Sequence, residues 1–335
     1  MEVLASLARS HSNLTILHLE PGFSSNRTLD GRCALICALT HVQEVEVGTV
    51  DLAALMHLGQ LQSLDTLDII LSASISFPLA ATRRLFHNLE SIKLRETPKV
   101  YFFDGSLDFC PKPNEVEEVY RSLGEHCCHA SLETFSLGHY NIPDPRSQHA
   151  PAFVHPGDGL RPLFCFSGLQ AITIHSSAGF DLDDASIADM ARAWPDLTDL
   201  HLGCEMQACQ PRGTLLAIRA LAEHCDRPAS MPGGIWLNSS LVSWNTGYSP
   251  ATPGSAFPVA RFLSATCLNL KEVMPAGYWG DLDNFDPDEP ARRKKLWTEV
   301  AGCLLPALGE IQQEEWTNGQ TVVGYAVQTV INNLQ

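Results

Sequence analysis

The feature that most restricts how this chain can fold is a short apolar pattern that recurs seven times. Its form is apolar, two variable, apolar, one variable, apolar. It occurs at Leu14, Leu17, Leu19; at Val42, Val45, Val47; at Leu64, Leu67, Ile69; and at Leu89, Ile92, Leu94. Three further copies are Leu132, Phe135, Leu137; Leu169, Ile172, Ile174; and Leu197, Leu200, Leu202. The last two apolar positions lie two residues apart, so both point to one side of a short strand while their neighbours point to the other. One such strand cannot bury its apolar side alone. Seven stacked in a parallel sheet share a core in which each rung touches the next.

The segments between copies carry helical spacing. Leu4, Leu7, Ala8 and Leu14 are repeated in form by Ile187, Met190, Ala191 and Leu197, and again by Ala260, Leu263, Ser264 and Leu270. Steps of three and four place these residues on one helical face, ready to pack behind a strand. The expected fold class is therefore α/β: an irregular repeat solenoid with a parallel sheet on the concave side and helices on the convex side. Intervals between leading positions 14, 42, 64, 89, 132, 169 and 197 are uneven. The two longest hold Pro-rich insertions, 97–114 and 141–162, which read as loops because proline cannot donate to a ladder.

After Leu202 the pattern decays. Ile218, Leu221 and Ala222 open another helix, Ile235 and Leu237 suggest a displaced strand, and 249–258 is a Pro/Gly loop. A last strand is expected around Leu270 and Val273. A terminal helix over 291–315, with Leu296, Val300, Leu304, Leu308 and Ile311 on one face, would cap the open sheet edge. The expected division is a solenoid over 1–275 and a C-terminal cap and tail over 276–335.

The 335 residues carry a net charge of −16 and only 18% charged residues. An acidic chain repels phosphate backbones, so nucleic acid is not an expected partner. The basic run Arg292 to Lys295 is short, follows an acidic stretch, and reads as a solvated helix start. No apolar run reaches the roughly 18 residues of a spanning helix, so no membrane association is expected. The first residues, Met1 to Arg9, lack the form of a secretory signal. The eleven cysteines then read as reduced thiols, and the expected compartment is cytoplasmic or nuclear.

Several segments resemble the leucine-rich-repeat region of fungal F-box proteins: 85–92, 190–197, 221–225, 269–273 and 277–280. The resemblance covers most of residues 1–315. It implies a leucine-rich-repeat solenoid that acts as the substrate-recognition part of a cullin-based ubiquitin ligase. The chain departs from that group in two ways. The laddering Asn or Cys of the usual repeat is replaced by Gly22, Val50, Ser72, Thr97, Tyr140, Ser177 and Glu205. No F-box is found before the first repeat, so a cullin adaptor is an expected partner only if such a box exists upstream. The alternative is a free-standing repeat scaffold without ligase association.

No catalytic constellation emerges. The run His126-Cys127-Cys128-His129 places four ligand types on adjacent residues, which cannot all reach one tetrahedral zinc, and reads as a helix end. Cys33 and Cys37, four apart, suit the buried face of a helix. The acidic stretch from Asp281 to Glu289 fails calcium-loop spacing, with Phe285 at the third ligand position and Asp286 where glycine is needed. Phosphate-loop, nucleophile-elbow and zincin motifs are missing from the sequence. The expectation is a non-enzymatic chain without metal or cofactor.

Binding is expected on the outward side of the strands, where a protein or peptide partner would meet a mixed polar wall. Its residues are His18, Glu44, Glu46, Thr66, Asp68, Ser91, Lys93, Arg95, Thr134, Ser136, Thr173, His175, Asp199 and His201. Ile16, Glu20 and Ala171 fall on the same side.

Overall fold

A computed structural model describes residues 13–19, 26–71, 85–96, 112–138, 150–176, 178–204, 212–224, 243–245, 256–266, 272–274, 295, 298–300 and 302–303. Its centre is a sheet of seven parallel strands, one for each copy of the apolar pattern. They are β1 (Ile16–His18), β2 (Glu44–Thr49), β3 (Thr66–Leu71), β4 (Ser91–Glu96) and β5 (Thr134–Gly138), then β7 (Ala171–Ser176) and β9 (Asp199–Cys204). They follow one another in the order β1-β2-β3-β4-β5-β7-β9. Equivalent apolar positions pair directly: Leu67 opposite Ile92, Ile92 opposite Phe135, Phe135 opposite Ile172, and Ile172 opposite Leu200. A slip of one residue would turn an apolar row to solvent, so the period-two pattern fixes this register.

Burial follows that register. Val45, Val47, Leu67, Ile69, Ile92, Leu94, Phe135, Leu137, Ile172 and Ile174 are all at most 2% exposed. The leading positions Val42, Leu64, Leu89, Leu132 and Leu169 are buried as well. Leu200 and Leu202, on the terminal strand β9, are only half-buried.

The strands are tied at their entry by a repeated backbone device. The carbonyl of Thr15 accepts from the N–H groups of both Gln43 (2.7 Å) and Glu44 (3.0 Å) of the next rung. Gln43, Asp65, Glu90 and Glu133 repeat the arrangement toward Asp65/Thr66, Glu90/Ser91, Glu133/Thr134 and Gln170/Ala171. Side chains just before the leading residue add a second tie. The Ser63 hydroxyl donates to the Val42 carbonyl at 2.8 Å, Asn88 Nδ2 to the Gln62 carbonyl at 2.6 Å, and the Ser131 hydroxyl to the Leu89 carbonyl at 3.0 Å. These bonds satisfy backbone groups that burial would otherwise leave costly.

Helices fill the intervals between strands. α1 spans Asn26–Cys37, α2 Leu52–Gln60 and α3 Pro113–His126. The Asp51 carboxylate caps α2 by accepting from the Ala54 N–H at 2.7 Å. α3 begins on Pro113, with the Glu115 carboxylate accepting from the Lys112 N–H at 3.0 Å. Tyr120 of α3 meets the Phe135 ring edge-on at 5.9 Å, which places α3 on the apolar side of the sheet. α2 approaches the next rung so closely that a Cβ on Gly59 would lie 2.8 Å from Leu85 Cβ. Phe86 beside it holds a left-handed φ of 52°. That conformation is costly for a bulky residue, and it is held by a buried ring and an N–H bond to the Gly59 carbonyl at 2.7 Å.

The insertion expected to be loop over 141–162 has structure of its own. It contains a 3₁₀ turn (Ala150–Phe153), the short strand β6 (His155–Pro156) and most of a 3₁₀ helix (Gly157–Cys165). β6 pairs with β8 (Phe180–Asp181) outside the main sheet. The 97–111 part of the other insertion lies outside the described residues.

The described residues separate into two compact units, the first holding the seven-stranded sheet with α1, α2 and α3. The second contains α4 (Asp184–Ala193), α5 (Leu215–His224), α6 (Ala256–Thr266) and a parallel pair, β10 (Ser243–Asn245) with β11 (Glu272–Met274). α4 and α6 fall on the helical spacings read from sequence, with Met190, Ala191, Ala260 and Leu263 buried. The Asp183 carboxylate caps α4, accepting from the Ser186 N–H and hydroxyl at 2.9 and 2.8 Å. Those bonds, helped by Arg212, hold it below the usual carboxylate range. The expected strand at Ile235 and Leu237 lies outside the described residues. Of the expected terminal helix, Lys295, 298–300 and 302–303 are helical with Val300 buried, and Leu296, Leu304, Leu308 and Ile311 fall outside. No helix among the described residues is long and apolar enough to cross a membrane.

Ile172→Asp places a charge at a position with no exposure and is expected to cost about 4 kcal/mol or more. Thr173→Asn beside it should leave the melting temperature nearly unchanged, and Leu200→Ala should cost less than Ile172→Ala. Thermal unfolding followed by circular dichroism checks all four. Equal losses at Ile172 and Thr173 would overturn the strand assignment.

Candidate functional site

Pairing fixes which outward residues stand side by side. Along the sheet they form rows running across the strands. The central row is His18, Glu46, Asp68, Lys93, Ser136, Thr173 and His201. The row at the strand starts is Ile16, Glu44, Thr66, Ser91, Thr134, Ala171 and Asp199. At the strand ends, Ile70, Arg95, Gly138, His175 and Gly203 are aligned. All fourteen residues expected on the wall are therefore on one face, and none is buried. Glu20 lies outside the described residues.

The first four strands carry a connected set of ion pairs. Asp68 is the hub: Arg95 Nε donates to its Oδ1 at 2.7 Å, and Lys93 Nζ lies 3.5 Å from its Oδ2. Arg95 reaches on to Glu46 at 3.4 Å. His18 stands between two carboxylates, with Nε2 at 3.0 Å from Glu44 and Nδ1 at 3.6 Å from Glu46. Side-chain exposure falls from 50% at His18 and Lys93 to 21% at Arg95 and 14% at Asp68. The hub pair is thus the least screened and the most strongly coupled.

The other three strands differ in character. Their outward side chains are small hydroxyls and alanine on β5 and β7, with His175 at the end of β7 and Asp199 and His201 on β9. The His175 and His201 rings lie 4.8 Å apart and are tilted by 46°. Spacing along sequence placed these residues on the face. The hub geometry was not readable there, since it depends on side-chain lengths and on register across three strands.

The cysteine and histidine run sits elsewhere. α3 ends at His126 and Cys127 follows as its C-cap, as the helix-end reading expects. His129 bonds the Gly124 carbonyl at 2.6 Å and meets Phe166 edge-on at 5.4 Å. His126, Ser122 and Tyr120 are buried with side-chain polar atoms that have no hydrogen-bond partner, and burial pushes the Tyr120 hydroxyl far up. Cys127 is pushed up to about 12, mainly by burial and further by Cys165 and Cys128. Cys33 is buried on α1, where it accepts from the Asp51 N–H at 3.3 Å. Cys37 is exposed, contrary to the expected buried pair. The buried arc of α1 runs through Arg32, Cys33, Leu35 and Ile36. Cys37 is turned about 40° past Cys33, outside that arc. No three His, Cys, Asp or Glu residues are gathered to hold a metal ion among the described residues.

No family model and no curated protein matches this chain.

Two outcomes are expected. In urea unfolding, the Asp68→Asn, Arg95→Gln double-mutant cycle should give a coupling of about 1 kcal/mol, smaller at high salt; zero coupling would dissolve the hub. In native alkylation followed by mass spectrometry, Cys37 should label before Cys33, and Cys127 only on unfolding. Early labelling of Cys127 would contradict its burial.

Proposed function

We propose that this chain is a protein-interaction module whose outward sheet face receives a protein or peptide partner. In this reading the seven-stranded sheet belongs to an irregular leucine-rich-repeat solenoid, and its outward face is the concave side. The role is similar to that of the substrate-recognition part of an F-box protein in a cullin-based ubiquitin ligase. The chain itself carries no catalytic step.

One observation carries the reading. Seven strands paired side by side present a single face on which the fourteen residues named above, from His18 to His201, are all at least partly open to solvent. An open row of this length offers a partner many contacts of fixed spacing. Its mixed charges would set orientation and encounter rate more than affinity. The polar hub also keeps the face wettable, which suits a surface that is free part of the time.

The test is a photo-crosslinking residue placed at Ser136 or Thr173 in the full chain, with a control at the exposed Glu125 on α3. A specific partner should cross-link from the sheet positions and be lost in Thr173→Arg. Cross-links from Glu125 alone would overturn the assignment of the face. Recovery of a cullin adaptor in the same native purification supports the ligase role; a partner on the sheet face without an adaptor makes the chain a free-standing scaffold.

A further inference from the structure

The charges on the outward face do not cancel evenly, and the remainder has a definite place. In the central and strand-end rows, Glu46 and Asp68 are matched by Lys93 and Arg95 through contacts of 2.7 to 3.5 Å. The row at the strand starts keeps two carboxylates, Glu44 on β2 and Asp199 on β9. Among the described residues neither meets a lysine or arginine; the one ion-pair contact of Glu44 is the His18 imidazole. Glu44 is 40% exposed in its side chain, and Asp199 is exposed. Between them in register stand Thr66, Ser91, Thr134 and Ala171, all short side chains. Beyond Glu44 stands Ile16, 53% exposed and apolar.

Building on the protein-binding reading of this face, we infer that its partner is a basic segment lying across the strands along this row. The row has the chemistry of a two-point clamp for cations. Each carboxylate offers acceptor oxygens to a lysine or arginine, the hydroxyls between them offer hydrogen bonds to a backbone, and Ile16 offers apolar contact to an aliphatic stem. β2 and β9 are five strand intervals apart, or about 24 Å at the usual spacing of about 4.8 Å. An extended peptide rises about 3.4 Å per residue and alternates its side chains between two faces, so two cationic residues that both meet the wall stand about six or eight positions apart. The chain's net charge of −16 draws a basic partner from a distance and disfavours an acidic one.

The test uses the full chain and three labelled peptides of about twelve residues. They carry two lysines, two glutamates or two glutamines about six or eight positions apart, on one face of an extended chain, in one shared Ser/Gly/Leu background. Fluorescence anisotropy should show preferred binding of the lysine peptide, weakening as salt rises. Glu44→Gln and Asp199→Asn should each weaken it about two- to fivefold, with unchanged melting temperatures. If the glutamate or glutamine peptide binds as well and Thr173→Arg abolishes that binding, the face binds partners but the basic assignment is overturned. If the lysine peptide binds equally to Glu44→Gln and Asp199→Asn, the clamp is overturned in the same way. If no peptide binds, or Thr173→Arg changes nothing, the protein-binding reading fails with it.

Discussion

Lateral hydrogen bonding between parallel strands is the constraint from which the rest of the first unit follows. Each rung presents a carbonyl at its strand entry that accepts two N–H groups from the next rung, from Thr15 through Glu133. Such a carbonyl uses both lone pairs, so the following strand has little freedom to slide. Once the entry is fixed, alternation does the remaining sorting. Leu67, Ile92, Phe135 and Ile172 line up on the core side, and Asp68, Lys93, Ser136 and Thr173 line up outside. The ion-pair hub depends on this. Asp68 can serve Lys93 and Arg95 together only because β3 and β4 are paired residue for residue.

A second set of ties lies just before the leading apolar residue of a rung. Ser63, Asn88 and Ser131 stand there, and their side chains reach carbonyls of the previous rung. Gly168 holds the same position in a later rung. A Cβ there would stand 3.4 Å from the Ala130 carbonyl oxygen, so backbone approaches backbone directly. Short side chains or none at this position let successive rungs close up.

Strand positions were legible in sequence because a single physical rule, period-two burial, acts on seven separate segments. The helices at 184–193 and 256–266 were legible for the matching reason, since Met190 with Ala191 and Ala260 with Leu263 keep a helical spacing and are buried. Legibility stopped where structure depends on contacts distant in sequence or on precise angle. β10, β6 and β8 are two or three residues long, too short to show any period. Cys37 was expected to share the burial of Cys33, yet the small angle between them carries it out of the core. Phe86 adopts a left-handed backbone that no local propensity favours, because its N–H is held by the Gly59 carbonyl and its own carbonyl accepts from the Cys128 N–H.

The face divides into two halves for a similar reason. Long charged side chains on β1 to β4 are drawn together by the partly buried pair of Asp68 and Arg95, and in satisfying one another they lose much of their capacity to attract a partner. A carboxylate held by both Arg95 and Lys93 has little left to offer. Under the proposed protein-binding role, affinity would shift to groups at the margins of the network and to the short side chains of β5 and β7. The hub then acts as scaffold: it keeps the face polar, while Glu44 and Asp199 in the row at the strand starts meet no lysine or arginine among the described residues and carry the charge that the proposed partner would meet.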